Sequence, residues 1–498
     1  MLCAGEGGQK IDKKTYNERV PDLRTELLLA QNQLHVSADF SVIAVVAGSD
    51  AAGKGQTVNR LHQWMDTRFL QTHAFDQPSD EESERPLAWR YWRVLPAKGL
   101  ISIFLNSWYS EVIRAMLAGE MSEADFARAL VHLNTFEQKL TDDGTLLLKY
   151  WFHIPKKVQK KRLKNYASDP DQAWRVTEQD WWNLRHYDRL RPICERLLKD
   201  TNSSQAPWLV VDGTDRRYRE LTVSEHLLQS LRSRMQSAPT GTVPSPVPVH
   251  AAEAAPDGPT VLSELDLDQQ ISRSRYRRHL VKWQARLNEL SRRAQKKRVA
   301  TVLVFEGADA AGKGGAIRRV TTALDARRYE VIPIAAPNDE ERARHYLWRF
   351  WRRLPRAGDW TVFDRSWYGR VLVERVEQFA TEPQWRRAYQ EIRDFEELLC
   401  EHGIVLVKFW LHIDPDEQAK RFAEREQVPY KQYKITEEDY RNRSKWPQYE
   451  AAVQDMIQQT CLPHAPWTLV EANDKYFARI KVLRTICEQL HDAIPGKK

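Results

Sequence analysis

The sequence predicts an α/β protein made of two copies of one three-layer α/β/α domain, each a parallel sheet with helices on both faces. Three observations carry that expectation: a repeat at one fixed offset, β-branched runs separated by helical patterns, and a glycine-rich loop at the same place in each copy. The repeat comes first. Gly48-Ser-Asp-Ala-Ala-Gly-Lys-Gly55 returns 259 residues later as Gly307-Ala-Asp-Ala-Ala-Gly-Lys-Gly314. The same offset carries Arg90-Tyr-Trp-Arg-Val-Leu-Pro96 onto Arg349-Phe-Trp-Arg-Arg-Leu-Pro355, and Ser107-Trp-Tyr109 onto Ser366-Trp-Tyr368. Lys149-Tyr-Trp-Phe-His-Ile154 maps onto Lys408-Phe-Trp-Leu-His-Ile413, Thr177-Glu-Gln-Asp180 onto Thr436-Glu-Glu-Asp439, and Ala206-Pro-Trp208 onto Ala465-Pro-Trp467. One offset held this far means two copies with almost no net insertion.

The element pattern is clearest in the second copy. Val299 to Phe305 is a continuous β-branched run, as a buried parallel strand requires. It enters the glycine loop, and a helix is expected from Ala316 onward. Trp360–Asp364, Ile404–Ile413 and Trp467–Glu471 are further strand candidates with helical patterns between them. Strands alternating with helices imply a parallel sheet. Residues 237–260, rich in Pro and Ala and without Lys or Arg, are expected to be a disordered linker. The domains are therefore 1–236 and 261–498, the second led in by a basic helix over Gln270–Lys297.

Composition narrows the function classes only loosely. The 498 residues, 42% hydrophobic and 29% charged, suffice for two buried cores. A net charge of +8 permits a polyanionic partner without choosing among nucleic acid, an acidic membrane surface and polyphosphate. Five scattered cysteines show no metal spacing and fit reduced cytosolic thiols. Met1-Leu2-Cys3-Ala4-Gly5 hints at a lipobox, but no apolar stretch precedes Cys3. No run approaches the roughly 20 apolar residues of a membrane span. A soluble, cytoplasmic protein is expected.

The chemistry lies in the loop. Gly307-x-x-x-x-Gly312-Lys313, between a strand and a helix, has the pattern of a P-loop. Its glycines let backbone N–H groups curl around phosphate, the helix N-terminus adds positive potential, and Lys313 reaches between phosphates. Gly307, Ala310, Gly312 and Gly314 are the expected backbone contacts. Gly314 stands where Ser or Thr usually holds Mg2+, and Asp309 sits inside the loop where a carboxylate should repel phosphate. Asp309 holding metal would reconcile both departures; orienting an acceptor phosphate and capping the next helix are the alternatives. Asp364, at a strand end before Arg365-Ser-Trp-Tyr-Gly-Arg370, is the natural Walker-B partner. Further arginines (Arg342, Arg344, Arg349, Arg352, Arg353) are placed on a helical stretch ending at Pro355, with Arg349 and Arg353 the expected phosphate contacts. Arg421, Arg425, Lys431 and Lys434 follow the later strand, Arg421 on an expected mobile lid.

The Gly-x-Asp-x-x-Gly-Lys-Gly loop, the Asp364–Arg370 block, Leu347-Trp348-Arg349 and Glu417-Gln418-x-x-Arg421 together resemble the polyphosphate kinase 2 family. The duplicated form resembles its two-domain class, the polyphosphate:AMP phosphotransferases. That resemblance implies a thymidylate-kinase-like, P-loop kinase fold with a helical lid, Mg2+ (or Mn2+ in its place), and a channel gripping polyphosphate. It places Asp309, Lys313, Asp364, Arg365 and Arg421 at catalytic positions, with Asp309 and Asp364 as metal ligands. Arg349, Arg353, Arg370, Arg425 and Lys431 are expected to bind polyphosphate.

The first copy departs from the pattern. Leu105 replaces Asp364, Asn106 replaces Arg365, and Glu111 replaces Arg370, while Asp50, Lys54 and Arg162 remain. It should be catalytically silent. The expected reaction is reversible in-line phosphoryl transfer from inorganic polyphosphate to AMP, giving ADP. The expected partners are polyphosphate and an adenine nucleotide, without nucleic acid or membrane; a homo-oligomer is compatible with the sequence. The rivals are an ATP-dependent nucleotide or small-molecule kinase and a P-loop nucleic-acid-binding protein.

Overall fold

An uninterrupted apolar strand cannot face water on either side, so it belongs at the centre of a sheet covered twice. In the computed structural model, which describes residues 1–236, 260–427 and 437–494, each half places such a strand there. In the first half β1 (Val42–Gly48) is central, with β2 (Leu70–Ala74), β3 (Ile101–Leu105), β4 (Leu146–His153) and β5 (Trp208–Asp212) in the order β2-β3-β1-β4-β5. In the second, β6 (Thr301–Gly307) is central, with β7 (Tyr329–Pro333), β8 (Trp360–Asp364), β9 (Val405–His412) and β10 (Trp467–Glu471) in the order β7-β8-β6-β9-β10. Every pairing is parallel.

The chain packs as two compact units. Among the described residues, the first contains 1–78, 90–236 and 339–345, and the second 79–89, 260–338, 346–427 and 437–494. Nearly all of the linker expected at 237–260 lies outside the described residues. The boundary at His345 divides the arginine cluster: Arg342 and Arg344 fall in the first unit, Arg349, Arg352 and Arg353 in the second. The single helical stretch expected there is instead two isolated turns, Asp339–Arg342 and Trp348–Trp351. Trp348, Phe350 and Trp351 are all buried, which one stripe of an amphipathic helix does not produce.

The strands expected at Trp360–Asp364 and Trp467–Glu471 stand at those bounds, and the leading helix spans Arg273–Lys296. β7 had no legible signal. It is an edge strand with only Ile332 buried, so no apolar pattern marks it.

Topology creates the site. From β6 the chain moves to the β7 edge, returns through β8, then crosses β6 to reach β9. A crevice opens at the C-terminal ends where that order reverses. In register, Phe305 of β6 pairs with Asp364 of β8 and Gly307 with Leu411 of β9. The glycine loop and the strand-end Asp364 therefore emerge side by side.

A buried ion pair locks the segment after β8. Lys408, inside β9 and fully buried, donates to Glu396 Oε2 at 2.7 Å, the Thr460 carbonyl at 2.9 Å and Tyr368 Oη at 3.0 Å. Glu396, on the helix Glu382–Glu401, also accepts from Trp367 Nε1 at 3.1 Å and Tyr368 Oη at 2.6 Å. The first unit repeats the arrangement with Lys149, Glu137, Trp108 and Tyr109. Because the network survives in the copy that lost Asp364 and Arg365, it serves the fold.

Removing one partner leaves a charge stranded. Glu396→Ala should destabilise the second unit by about 3–5 kcal/mol, read from its urea unfolding midpoint, whereas pairing Glu396→Leu with Lys408→Met should recover most of that loss. An unchanged midpoint in the single variant would contradict the assignment.

Candidate active site

The loop between β6 and the helix Lys313–Thr321 needs backbone that only glycine supplies at two points. Gly307 has φ +148°, and a Cβ there would sit 2.4 Å from the Leu411 carbonyl oxygen. Gly312 has φ +105° and precedes the helix without a side-chain cap. Asp309 therefore does not cap this helix, which disposes of that alternative. The helix N-terminus opens into the loop as an anion site.

Lys313 folds back over the loop, its Nζ donating to Gly307 O at 2.7 Å. Burial and the neighbouring Arg365 charge lower its pKa, against the opposing pull of Asp309, Asp364 and Glu306. Asp309 receives Arg365 Nη2 on Oδ1 at 3.0 Å and Asn442 Nδ2 on Oδ2 at 2.9 Å. Gln418 Nε2 donates to its carbonyl at 3.1 Å. Arg365 takes a left-handed backbone, φ +64°, immediately after β8, and its N–H donates to Phe305 O at 3.0 Å. A non-glycine residue there costs about 1–2 kcal/mol and persists only when its surroundings demand it. The turn aims the guanidinium back at the loop. The four residues Asp309, Lys313, Asp364 and Arg365 thus converge.

Glu306 escaped the sequence reading. It is buried at the end of β6, accepts Ser366 Oγ at 2.7 Å, and has its pKa raised chiefly by burial. The available signal was a carboxylate closing an apolar strand, with Ala47 at the equivalent place in the first copy. Beside Asp309 and Arg365 opens a pocket walled on its apolar side by Leu262, Leu372, Val373, Trp446, Tyr449 and Val453. Its polar lining includes Glu306, His412, Gln418, Asn442 and Glu450. Asn442, Trp446 and Tyr449 stood in helical sequence with no motif to mark them.

Several expected phosphate contacts have other positions. Arg421, expected on a mobile lid, is 3% exposed and belongs to the helix Pro415–Glu426. Its Nε pairs with Glu417 at 2.6 Å. Nη1 donates to Ala310 O and Ala311 O at 2.9 and 3.1 Å, and Nη2 to Ala472 O and Asn473 O at 2.6 and 2.8 Å. With all its N–H groups engaged, Arg421 clamps the loop rather than facing a substrate. Arg353 also departs from expectation: it pairs with Glu330 at 3.2 Å, and its carbonyl accepts Thr361 Oγ1. Glu330 and Thr361 are paired near the strand starts, so Arg353 lies at the end of the sheet away from the loop.

Arg349 remains near the site's end of the sheet, donating to Ala335 O at 3.0 Å just past β7. Arg370 pairs with Glu374 at 3.1 Å and stacks over the Tyr346 ring. Arg425 lines a separate basic cleft beside Gly312 and Gly315, with Lys475 and Arg479. Around Gly314 a Cβ would meet nothing within 4 Å, so its open face suits a close-packed phosphate. Ala310, φ +64°, shapes the loop and gives its carbonyl to Arg421. Lys431 and Lys434 lie outside the described residues.

The first unit keeps the loop and loses its surroundings. Gly48 and Gly53 share the positive φ, Lys54 donates to Gly48 O, and Asp50 accepts Asn183 at 2.9 Å. Arg162 clamps Ala51, Gly213 and Thr214 carbonyls as Arg421 clamps its own. Yet Leu105 and Asn106 occupy the strand end, and Glu111 pairs with Arg114.

Among the described residues no group of three or more His, Cys, Asp or Glu side chains converges on a metal position. Two carboxylates still fit a Mg2+-type ion, which keeps water and phosphate oxygens in most of its coordination sphere. The Asp364 carboxylate, half-buried beside Lys313, is the freer of the two, since both Asp309 oxygens are already hydrogen-bonded.

A family model described as polyphosphate kinase 2 matches residues 10–239 and again 270–498. The chain belongs to the polyphosphate kinase 2 family. Among relatives of this polyphosphate kinase 2 chain, a polyphosphate:AMP phosphotransferase of Pseudomonas syringae pv. tomato is 48% identical, and one of Pseudomonas aeruginosa 50%, both over the full length of each chain. An ADP-polyphosphate phosphotransferase of P. aeruginosa is 38% identical over 45% of this chain and 74% of its own. The crystal structure of a polyphosphate kinase 2 from P. aeruginosa PA01 matches with TM-score 0.89 and 48% identity, covering all of both chains.

Two variants separate chemistry from clamp. Asp364→Asn should lower kcat by about 10²-fold or more with the melting temperature unchanged. Arg421→Ala should cost more than about 2 kcal/mol of stability, because four carbonyls lose their donors. Initial rates and thermal melts of both variants check this pair; a fully stable Arg421→Ala would refute the clamp.

Proposed function

We propose that the second unit transfers the terminal phosphoryl group of inorganic polyphosphate to the α-phosphate of AMP, forming ADP, and that it runs in both directions. The observation that carries this reading is the Asp309–Arg365 pair at the junction of a phosphate loop and a largely apolar, aromatic-walled pocket. One side receives a chain of phosphates, the other a nucleotide, and the transferred group meets both at Lys313 and Arg365. The full-length relatives, each named a polyphosphate:AMP phosphotransferase, support the same pair of substrates.

Phosphoryl transfer needs positioning and charge stabilisation rather than a protein nucleophile. The loop N–H groups and Lys313 hold the donor phosphates, and approach of a polyanion favours the charged ammonium against the burial that opposes it. Arg365 faces the equatorial oxygens of the transferred group. Asp309, which already fixes Arg365, orients it and keeps like charge away from the donor path. Asp364 and Asp309 are the residues that would hold Mg2+, which supplies neutralisation of charge developing on the bridging oxygens. Similar phosphoanhydrides are exchanged, so neither direction dominates intrinsically. No described helix is long and apolar enough to cross a membrane.

The first unit, holding a loop without Asp364 and Arg365 equivalents, does not catalyse. Supplied with AMP, polyphosphate and Mg2+ but no ATP, the protein should form ADP; dependence on ATP as donor would overturn the reading. In that assay Lys313→Ala should abolish turnover while Lys54→Ala stays within a few-fold. Equal collapse in both, with both folded, would show a joint catalytic unit. KM for polyphosphate should rise steeply with salt, since its site is built of cations; a salt-independent KM would remove polyphosphate from the loop.

A further inference from the structure

The duplication supplies an internal control for one residue the mechanism does not use. His153 ends β4 and His412 ends β9, at equivalent places in the repeat. In the first unit the imidazole is fully occupied. Its Nε2 lies 3.0 Å from Glu6 Oε1 and its Nδ1 3.4 Å from Ser49 Oγ. Glu6 belongs to the short helix Leu2–Glu6 and is also held by Arg191 at 2.9 Å. Gly5 lies so close that a Cβ there would come 2.8 Å from the His153 Cβ. That place is closed.

In the second unit each of these partners is replaced. Leu265 stands for Glu6, Ala308 for Ser49 and Glu450 for Arg191. His412 is nonetheless buried, 6% exposed, and lines the pocket beside Asp309 and Arg365. Its Nδ1 has no hydrogen-bond partner. That nitrogen has no exposed surface of its own, so a ligand pairs with it only if the ring turns toward the pocket; a buried nitrogen left without a partner costs about 1–3 kcal/mol, which favours such a turn. Trp410, two residues earlier on the same strand, also has an unpartnered Nε1, but Trp151 of the first unit does too, so the indole carries no argument.

The surroundings indicate what the histidine meets. Its pKa is lowered to about 4, mainly by burial and against Asp414, so the ring is neutral at physiological pH. Neutral imidazole suits an uncharged hydrogen-bonding group, while the charged end of the pocket is already marked by Arg365. Leu262, Trp446 and Tyr449 provide apolar and aromatic walls for a planar ring. Leu262 comes from a segment outside both family-model matches, tied down by Val261 N donating to Gln454 Oε1 at 2.9 Å.

We propose that His412 hydrogen-bonds the nucleoside moiety of the acceptor nucleotide and so helps to set which nucleotide the second unit phosphorylates. This rests on the pocket being the AMP site of the proposed reaction. The test uses the full chain with His412→Phe, which removes the nitrogens, and His412→Asn, whose amide can replace Nδ1. AMP binding is measured by calorimetry without polyphosphate, and KM by initial rates. His412→Phe should weaken AMP about tenfold, the value of one hydrogen bond of about 1.4 kcal/mol. Its KM for polyphosphate should stay within about twofold, and His412→Asn should recover AMP affinity to within about threefold.

Purine riboside monophosphate, 2′-deoxy-AMP and 3′-deoxy-AMP then locate the contact. The analogue lacking the contacted group should bind wild type and His412→Phe alike, assigning either the base or the ribose. A full His412→Phe penalty with every analogue would mean that the ring only shapes the pocket, and the proposal would fall. So would unchanged AMP affinity in the folded Phe variant, or an equal loss for polyphosphate. Wild-type protein that neither binds AMP nor forms ADP would overturn the acceptor reading itself, and this inference with it.

Discussion

The segment 308–312 has no helix or strand of its own to hold it, yet everything at the site is measured from it. Arg421 provides the restraint. One buried guanidinium gathers carbonyls from Ala310 and Ala311 on one side and from Ala472 and Asn473 on the other. Those groups would otherwise be underpaired inside the protein, at a cost comparable to a lost hydrogen bond each. The clamp joins the loop to the exit of β10, so the direction of the helix Lys313–Thr321 is set by the sheet itself. Arg162 does the same in the first unit, where the loop has kept its shape without its catalytic neighbours.

Around that fixed loop the charges are arranged in layers. In the proposed reaction Lys313, Arg365 and the helix terminus face the path of the phosphates. Asp309 is neutralised in place by Arg365 and Asn442, so a carboxylate can sit within a phosphate loop without repelling its substrate. Glu306, deeper still, has its pKa raised by burial, against the opposing pull of the bond it accepts from Ser366. Beyond Arg365 the lining turns apolar. A polyanion and a nucleoside make opposite demands on solvation, and the switch-point crevice places surfaces for both within reach of one arginine.

The central strands, the glycine loop and the partnership of Asp364 with Arg365 were legible because each leaves a local mark: β-branched continuity, obligatory glycines, a polar residue at a strand end. The duplication made them more secure and exposed which copy lacks the Asp364 and Arg365 equivalents. Arg421 was legible as important but not in its task. A sequence shows an arginine on a helix and cannot show that four of its donors will find backbone carbonyls from loops about 50 and 110 residues away in sequence. Arg353 was misplaced because a run of aromatics and arginines looked like one helix; packing broke it into single turns. β7 and the pocket residues Trp446 and Tyr449 depend on tertiary neighbours that no periodicity encodes.

The left-handed turn after β8 persists in the half of the molecule that lacks its arginine. Arg365 adopts φ +64°, and the position is still left-handed, φ +54°, at Asn106. Asparagine is among the few residues that enter this region with little strain. The first copy thus keeps the same contortion on a side chain that bears it more easily, while the second still carries the strain. Fold and chemistry have come apart at a single dihedral: the sheet continues to dictate the bend, and only the half that must aim a guanidinium continues to suffer for it.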